Sequence, residues 1–319
     1  MNTIEEFRVF YKYQLKSDLK VIDQFRKTFL KTFFFVFLEI ILAIIVVFNL
    51  KFRTLVPDIY IWCIIFGLII FLVFFFTKIK KQYQEYREKY KKEIVSQIVR
   101  SINPNWDYSF NESILLGEYV ESNIFSMGVE RHSGDDLITG RIENTDFKCS
   151  EFHTEYYSSA IKQQVYVTIF KGLFFHANFN KQIHGETYVA PSFTDRGFAK
   201  IGHDIMFRDQ GEEVKLENPE FEKIFVVHAT NQNEARYILS YTMMEAMVDL
   251  HKMCKRPIYF SFKGSRVYCA ICFKKDLFEP TILRSSVKFE KIALIYNLFI
   301  LNSLIIKELD LNTRIWTKE

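Results

Sequence analysis

Two uninterrupted apolar runs dominate the N-terminal part of the chain, TFFFVFLEIILAIIVVFNL at 32–50 and IYIWCIIFGLIIFLVFFFT at 59–77. Each holds about 19 residues, enough at about 1.5 Å per residue to cross a hydrocarbon core of about 30 Å. Neither keeps the polar face of a soluble core helix, so both are predicted as membrane spans. The link KFRTLVPD only turns the chain back, which makes the pair an antiparallel hairpin.

The flanks of the hairpin are periodic. Ile4, Phe7, Tyr11, Leu15, Leu19, Ile22, Phe25 and Phe29 recur at steps of three and four, as do Tyr83, Tyr86, Tyr90, Ile94, Ile98 and Ile102 before Pro104. That spacing predicts two amphipathic helices leaving the membrane side by side.

Beyond Asn105 the pattern shortens to alternating runs. Strands are predicted at 136–142, 147–156, 164–179, 223–228, 258–262 and 267–273, the last two as a hairpin about Lys263-Gly264-Ser265-Arg266. Helices are predicted over 233–254 and about 287–309, the second too short and too polar for a third span. The fold class is α+β with an antiparallel sheet and flanking helices. The element order, strands first and a long helix last, permits a pleckstrin-homology-like barrel. The predicted divisions are a cytoplasmic amphipathic helix (1–31), a transmembrane hairpin (32–77), an amphipathic connecting helix (78–103) and a cytoplasmic α+β domain (104–319).

Charge orients this arrangement. Lys16, Lys20, Arg26, Lys27 and Lys31 precede the first span and Lys78, Lys80, Lys81, Arg87, Lys89, Lys91 and Lys92 follow the second, whereas the link holds only Lys51 and Arg53. Positive charge is retained on the cytoplasmic side, so both termini are expected there, in a multi-pass protein of the inner membrane. Tyr60 and Trp62 suit an interfacial aromatic belt. The opening MNTIEEFRVF does not read as a signal peptide. A net charge of +4, with the basic residues beside the apolar runs, does not indicate nucleic-acid binding. Five scattered Cys read as reduced thiols.

Glu39 is the one acid inside a predicted span. An acid there costs about 2.5–3.5 kcal/mol on insertion scales. Three readings stand: an oligomer contact, a protonated bystander near the inner leaflet, or part of an ion path.

Four residues are the candidates for metal binding or acid–base chemistry. Asp135 and Asp136 lie near the strand that carries Glu151 and His153, which share a face at i and i+2. A solvated strand face is the plainer reading of the same pattern. His251, Cys254, Cys269 and Cys272 have zinc-like spacing, but Cys269 and Cys272 on one strand would face opposite ways. His176, His184, His203 and His228 have no spaced acid or nucleophile. No phosphate loop, zinc-protease or nucleophile-elbow motif occurs, and no cofactor is implied.

The segments RHSGDDLITGRIENTDFKCSEF, IFKGLFFHANFNK with TYVAPSF, KLENPEFEKIFVVHATNQNEARYIL, DLFEPTI and LDLNTRIW resemble the bacterial family catalogued only as domain of unknown function 3137. The resemblance extends over nearly the whole chain. It implies a bacterial membrane setting and companionship with a LemA-like membrane protein, and it carries no catalytic residues. The sequence therefore points to a membrane-tethered interaction or scaffolding module without catalytic activity, acting as a homo-oligomer on the lipid bilayer. The alternative is a membrane-bound enzyme or a ligand or metal sensor with a pocket in the α+β domain.

Overall fold

The computed structural model describes residues 4–52, 58–158, 165–192, 210–282, 285 and 288–314. They divide into two compact units. The first comprises 1–7, 98–278 and 293–319, and the second comprises 8–97 and 279–292.

The second unit is built on two long helices, α2 (Lys16–Phe52) and α3 (Asp58–Tyr90), of 37 and 33 residues. Both are long and apolar enough to cross a membrane. Within the runs, Phe33, Phe34, Phe37, Ile44, Phe48, Trp62, Phe66, Val73, Phe74 and Phe76 all turn outward.

Ahead of α2, the helix α1 (Ile4–Phe10) joins it through a π-helical turn at Tyr11–Leu15, and α3 joins α4 (Ser96–Ile102) through another at Lys91–Val95. The sequence explains both turns. Phe7, Tyr11, Leu15 and Leu19, like Tyr86, Tyr90, Ile94, Ile98 and Ile102, are spaced by consecutive fours. In an α-helix of 3.6 residues per turn, four residues overshoot by roughly 40° each time. A π turn takes up an extra residue and resets the phase. The predicted faces are accordingly buried at Phe7, Leu15, Leu19 and Ile22 and at Tyr86, Tyr90, Ile94 and Ile98, while Phe25 is half exposed.

The described residues among 279–292 strap this unit. Glu279 accepts from Arg87 and from Lys91, whose Nζ lies 2.9 Å away and whose side chain is 0% exposed. Asp23 accepts from Arg26 Nε at 2.7 Å and from Ser285 Oγ at 3.1 Å, and Arg26 also donates to the Ile282 carbonyl at 3.1 Å. Burial opposes the charge on Asp23, and these bonds outweigh it, holding the carboxyl below its usual range. The ring of Tyr11 meets Phe289 edge-on.

The first unit holds an antiparallel sheet of seven strands in the order β1-β2-β3-β4-β6-β5, with β7 also on β4. The strands are β1 (Asp107–Ser109), β2 (Arg131–Ile142), β3 (Thr145–Ser158), β4 (Val165–Pro191), β5 (Glu212–Glu213), β6 (Phe225–Ala229) and β7 (Ile258–Cys272). The 27-residue β4 is the spine. One of its edges takes β3 and then β6, and the other takes β7 along most of its length.

Five further helices surround the sheet: α5 (Leu116–Glu121), α6 (Pro219–Ile224), α7 (Gln232–Ile238), α8 (Tyr241–Cys254) and α9 (Phe289–Arg314), the last contributing its residues from 293 onward. One sheet face packs Phe152, Phe170, Phe174, Tyr268 and Ala270 against Ile114, Tyr119 and Ile124. The other sets Phe147 and Phe175 under Trp106, which in turn meets Phe299 of α9. Burial on both faces is why IFKGLFFHA reads as a continuous apolar run instead of an alternating one.

The α+β class and the antiparallel sheet stand as expected. Three details differ. The sheet is open, with β1 and β7 unpaired to each other among the described residues, so no barrel closes. The hairpin expected about Lys263–Arg266 is instead one continuous strand, because both halves of β7 bond to β4 and neither bonds to the other; Gly264, at φ +60°, absorbs the mismatch where β4 shifts register. The single helix expected over 233–254 is broken after Ile238, where Ser240 caps α8 by accepting from the Met243 amide.

Candidate functional site

The four predicted residues do not form one site. β2 carries a bulge between Asp135 and Ile138, where Asp136 and Leu137 run opposite the single Ser150 of β3. Asp136 sits there at φ 59°, a left-handed conformation that Asp tolerates better than most side chains. Alternation fails at the extra residue, so Asp136 joins Asp135 on the side facing Glu151, the direct cross-strand partner of Asp135. One carboxylate oxygen from each of the three lies within 4.8 Å of the others.

His153 is elsewhere: its Nε2 lies 3.1 Å from Thr168 Oγ1 and 3.7 Å from Glu155. The i, i+2 spacing does put it on the side of β3 that Glu151 occupies, but one strand repeat further along, beyond the bulge.

The plain expectation of a solvated strand face also fails. Asp136 is fully buried and Glu151 is 7% exposed. Tyr108 donates its hydroxyl to Asp136. Glu151 Oε1 accepts the amides of Leu277 and of Phe278, the latter at 3.1 Å. Burial, with Asp136 close by, pushes the Glu151 carboxyl up to about 8 despite those two amides, and Asp135 adds to the rise. Burial and the same acid push Tyr108 far above its ordinary range.

Like charges this close need a proton or a cation between them. At neutral pH Glu151 holds the proton, and the cluster serves as a latch that ties the Leu277–Phe278 backbone and Tyr108 to the bulge. For a metal, three carboxylate oxygens within 4.8 Å of one another are hard donors of the kind a divalent cation such as calcium takes.

The zinc pattern is not assembled. Cys269 and Cys272 lie three apart on β7 and face opposite ways, and burial raises the thiols of Cys149, Cys254, Cys269 and Cys272 alike. Protonated thiols are poor ligands. Of the isolated His, His184 is exposed and lies 3.7 Å from Glu234, while His203 falls outside the described residues. His176 is the one the sequence undervalued. It is buried on β4 between Lys148 and Tyr268 of the neighbouring strands, 3.6 Å from Glu118, and neither ring nitrogen has a hydrogen bond. Burial lowers its pKa against the pull of Glu118. Nothing in the local sequence signals this, since Glu118 comes from α5, 58 positions away.

Glu39 stands exposed on α2 among the outward-turned apolar side chains. A groove of about 480 Å³ opens between α2 and α3 further along, lined by Phe25, Phe29 and Tyr86 with Thr28, Gln82, Glu85 and Lys89.

Residues 168–311 match the family model described as "Protein of unknown function (DUF3137)". The resemblance seen in the sequence segments holds over that stretch, which contains most of β4 through most of α9 and does not reach the hairpin. Among solved structures, the crystal structure of the mycobacterial trehalose monomycolate transport factor A is similar at a TM-score of 0.35 and 10% identity, over 65% of this chain and 92% of that one. Likeness of that degree carries no argument about function. Among curated proteins, none matches the chain.

Proposed function

We propose, taking residues 168–311 as a domain of that family, that the chain is a membrane-tethered contact module without catalytic activity. Its hairpin spans the bilayer, both termini and the α+β unit stand on the cytoplasmic side, and a second copy docks along the hairpin. The observation that carries this reading is the exposure of Phe34, Phe37, Phe48, Trp62, Phe66 and Phe74 along α2 and α3. Water does not tolerate so continuous an apolar surface, and hydrocarbon covers it without penalty. The uneven distribution of Lys and Arg about the hairpin supports the orientation.

Glu39 supports self-association. It lies on the lipid-facing surface, and a twofold contact between copies would let two protonated carboxyls bond to each other in place of facing hydrocarbon alone. The acid cluster about Asp136 favours a structural role for the α+β unit, because two of its carboxylates already hold the fold together. A LemA-like protein remains the partner that the family resemblance suggests.

Extraction and crosslinking test the reading. The full chain should resist alkaline carbonate, its 78–319 portion should be shielded from protease added outside intact cells, and Glu39→Leu should shift crosslinked dimer to monomer. Release by carbonate, or digestion from outside, overturns the proposal.

A further inference from the structure

We infer that Lys31, Lys78, Lys80 and Lys81 form a collar that gathers anionic phospholipids of the cytoplasmic leaflet around the hairpin. The inference rests on the membrane reading above and adds a lipid class to it.

Depth is the first support. Lys31 stands one residue before the first predicted span, and Lys78, Lys80 and Lys81 stand one, three and four residues after the second. At about 1.5 Å per residue they lie roughly 1.5–6 Å beyond the hydrocarbon, within a headgroup layer of about 5–8 Å per leaflet. The helices bring them level with one another. Phe25 and Phe29 of α2 line one groove with Gln82 and Tyr86 of α3, and Lys89 Nζ lies 4.4 Å from the centre of the Phe25 ring. That antiparallel register sets Lys31 at the height of Lys80 and Lys81. α3 runs away from the bilayer, and helical side chains lean toward their helix N-terminus, so its three lysines reach back toward lipid. Lys31 Nζ sits 5.9 Å over the ring of Phe35, which lies one turn deeper.

Charge is the second support. No Asp or Glu occurs between Asp23 and Glu39 or between Asp58 and Glu85, so the layer carries one sign only. All four lysines are exposed, and none has a carboxylate partner among the described residues. The next bases outward are matched within the chain: Arg26 and Lys27 by Asp23, Arg87 by Glu279, and Lys89 by Glu93. Unmatched positive charge therefore coincides with headgroup depth. Orientation in the membrane asks only that such charge stay inside; it does not ask that the charge stand unpaired in this layer, where an anionic leaflet supplies the missing countercharge. Because a Lys ammonium is a compact point charge without a fixed fork, the collar selects net negative charge and no particular headgroup shape.

The test uses the full chain in nanodiscs made from equal parts of phosphatidylglycerol, phosphatidylserine and phosphatidylcholine, followed by detergent release and mass measurement of retained lipid. Both anionic lipids should be retained roughly fivefold over phosphatidylcholine, the factor one lysine contributes near an anionic surface. Replacing Lys31, Lys78, Lys80 and Lys81 together by Gln should erase that preference, and replacing them by Arg should keep it. Replacing Lys12, Lys16, Lys20 and Lys92 by Gln removes the same charge from positions about 18 Å or more beyond the hydrocarbon and should leave the preference intact. Equal retention of all three lipids by the unaltered protein overturns the inference and leaves the membrane reading standing. So does selection of one anionic lipid alone, a preference that survives the first Gln set, or one lost equally with the second. Failure of the chain to enter nanodiscs at all overturns both.

Discussion

Replacing Glu151 by Gln isolates the proton held in the acid cluster. The carboxyl moves from 4.5 to about 8 on folding, chiefly through burial and through the nearness of Asp136. Because the folded state holds the proton more tightly, the unfolded chain releases it first as pH rises. Native stability therefore falls from about pH 4.5 to about pH 8 and levels off beyond. At about 1.4 kcal/mol per pH unit, the full loss is of the order of 5 kcal/mol. Glu151→Gln is neutral at every pH and keeps an oxygen for the Leu277 and Phe278 amides. Thermal melts of the full chain in detergent, followed by circular dichroism between pH 5 and 9, should show the unaltered protein losing midpoint steadily. The variant should stay nearly flat and melt about 5–10 °C higher at pH 8.5. Parallel curves for the two proteins would refute the protonated-latch account. A rise of the unaltered protein's midpoint with added calcium at pH 8.5, absent in the variant, would mean that a cation takes the proton's place.

Three further outcomes follow from the packing. Glu279→Gln removes the carboxylate that lies 2.9 Å from the fully buried ammonium of Lys91 and should destabilise the second unit by about 3–5 kcal/mol, whereas Lys91→Met should cost far less, both read from detergent melts. Tyr119→Phe removes a buried bond of 3.0 Å to Thr154 Oγ1 and should lower stability by about 1 kcal/mol in the same assay. Gly140→Ala would set a Cβ 2.4 Å from the Trp106 indole; the indole must shift, which near-ultraviolet circular dichroism would register as a changed tryptophan band.

Long, strongly patterned elements were legible in the sequence, and so was the α+β class. The apolar runs at 32–50 and 59–77, the amphipathic arms and the C-terminal helix all appear where their periodicity puts them. What escaped was whatever depends on a partner distant in the chain. Lys263-Gly264-Ser265-Arg266 has the composition of a turn, yet its strand follows β4, whose own register shift is invisible locally. Ser240 interrupts 233–254 because its hydroxyl satisfies the Met243 amide, a choice that apolar spacing does not register. The candidate site was half legible. Asp135, Asp136 and Glu151 do meet, but only because a bulge turns Asp136 inward, and His153 has the right face and the wrong depth. The consecutive fours from Tyr86 to Ile102 were in plain view, and a stricter account of helical phase would have located the π turn.

The ring of Phe7 stacks on that of Tyr296 at 4.1 Å and 9°, so residues from opposite ends of the described chain complete one unit. A ribosome emits these partners far apart in time: at about 5–20 residues per second, Phe7 waits on the order of 15–60 s for Tyr296. Throughout that interval the Phe7 ring lacks the partner that it stacks on in the folded unit, and a translational pause before residue 296 would lengthen the wait in direct proportion.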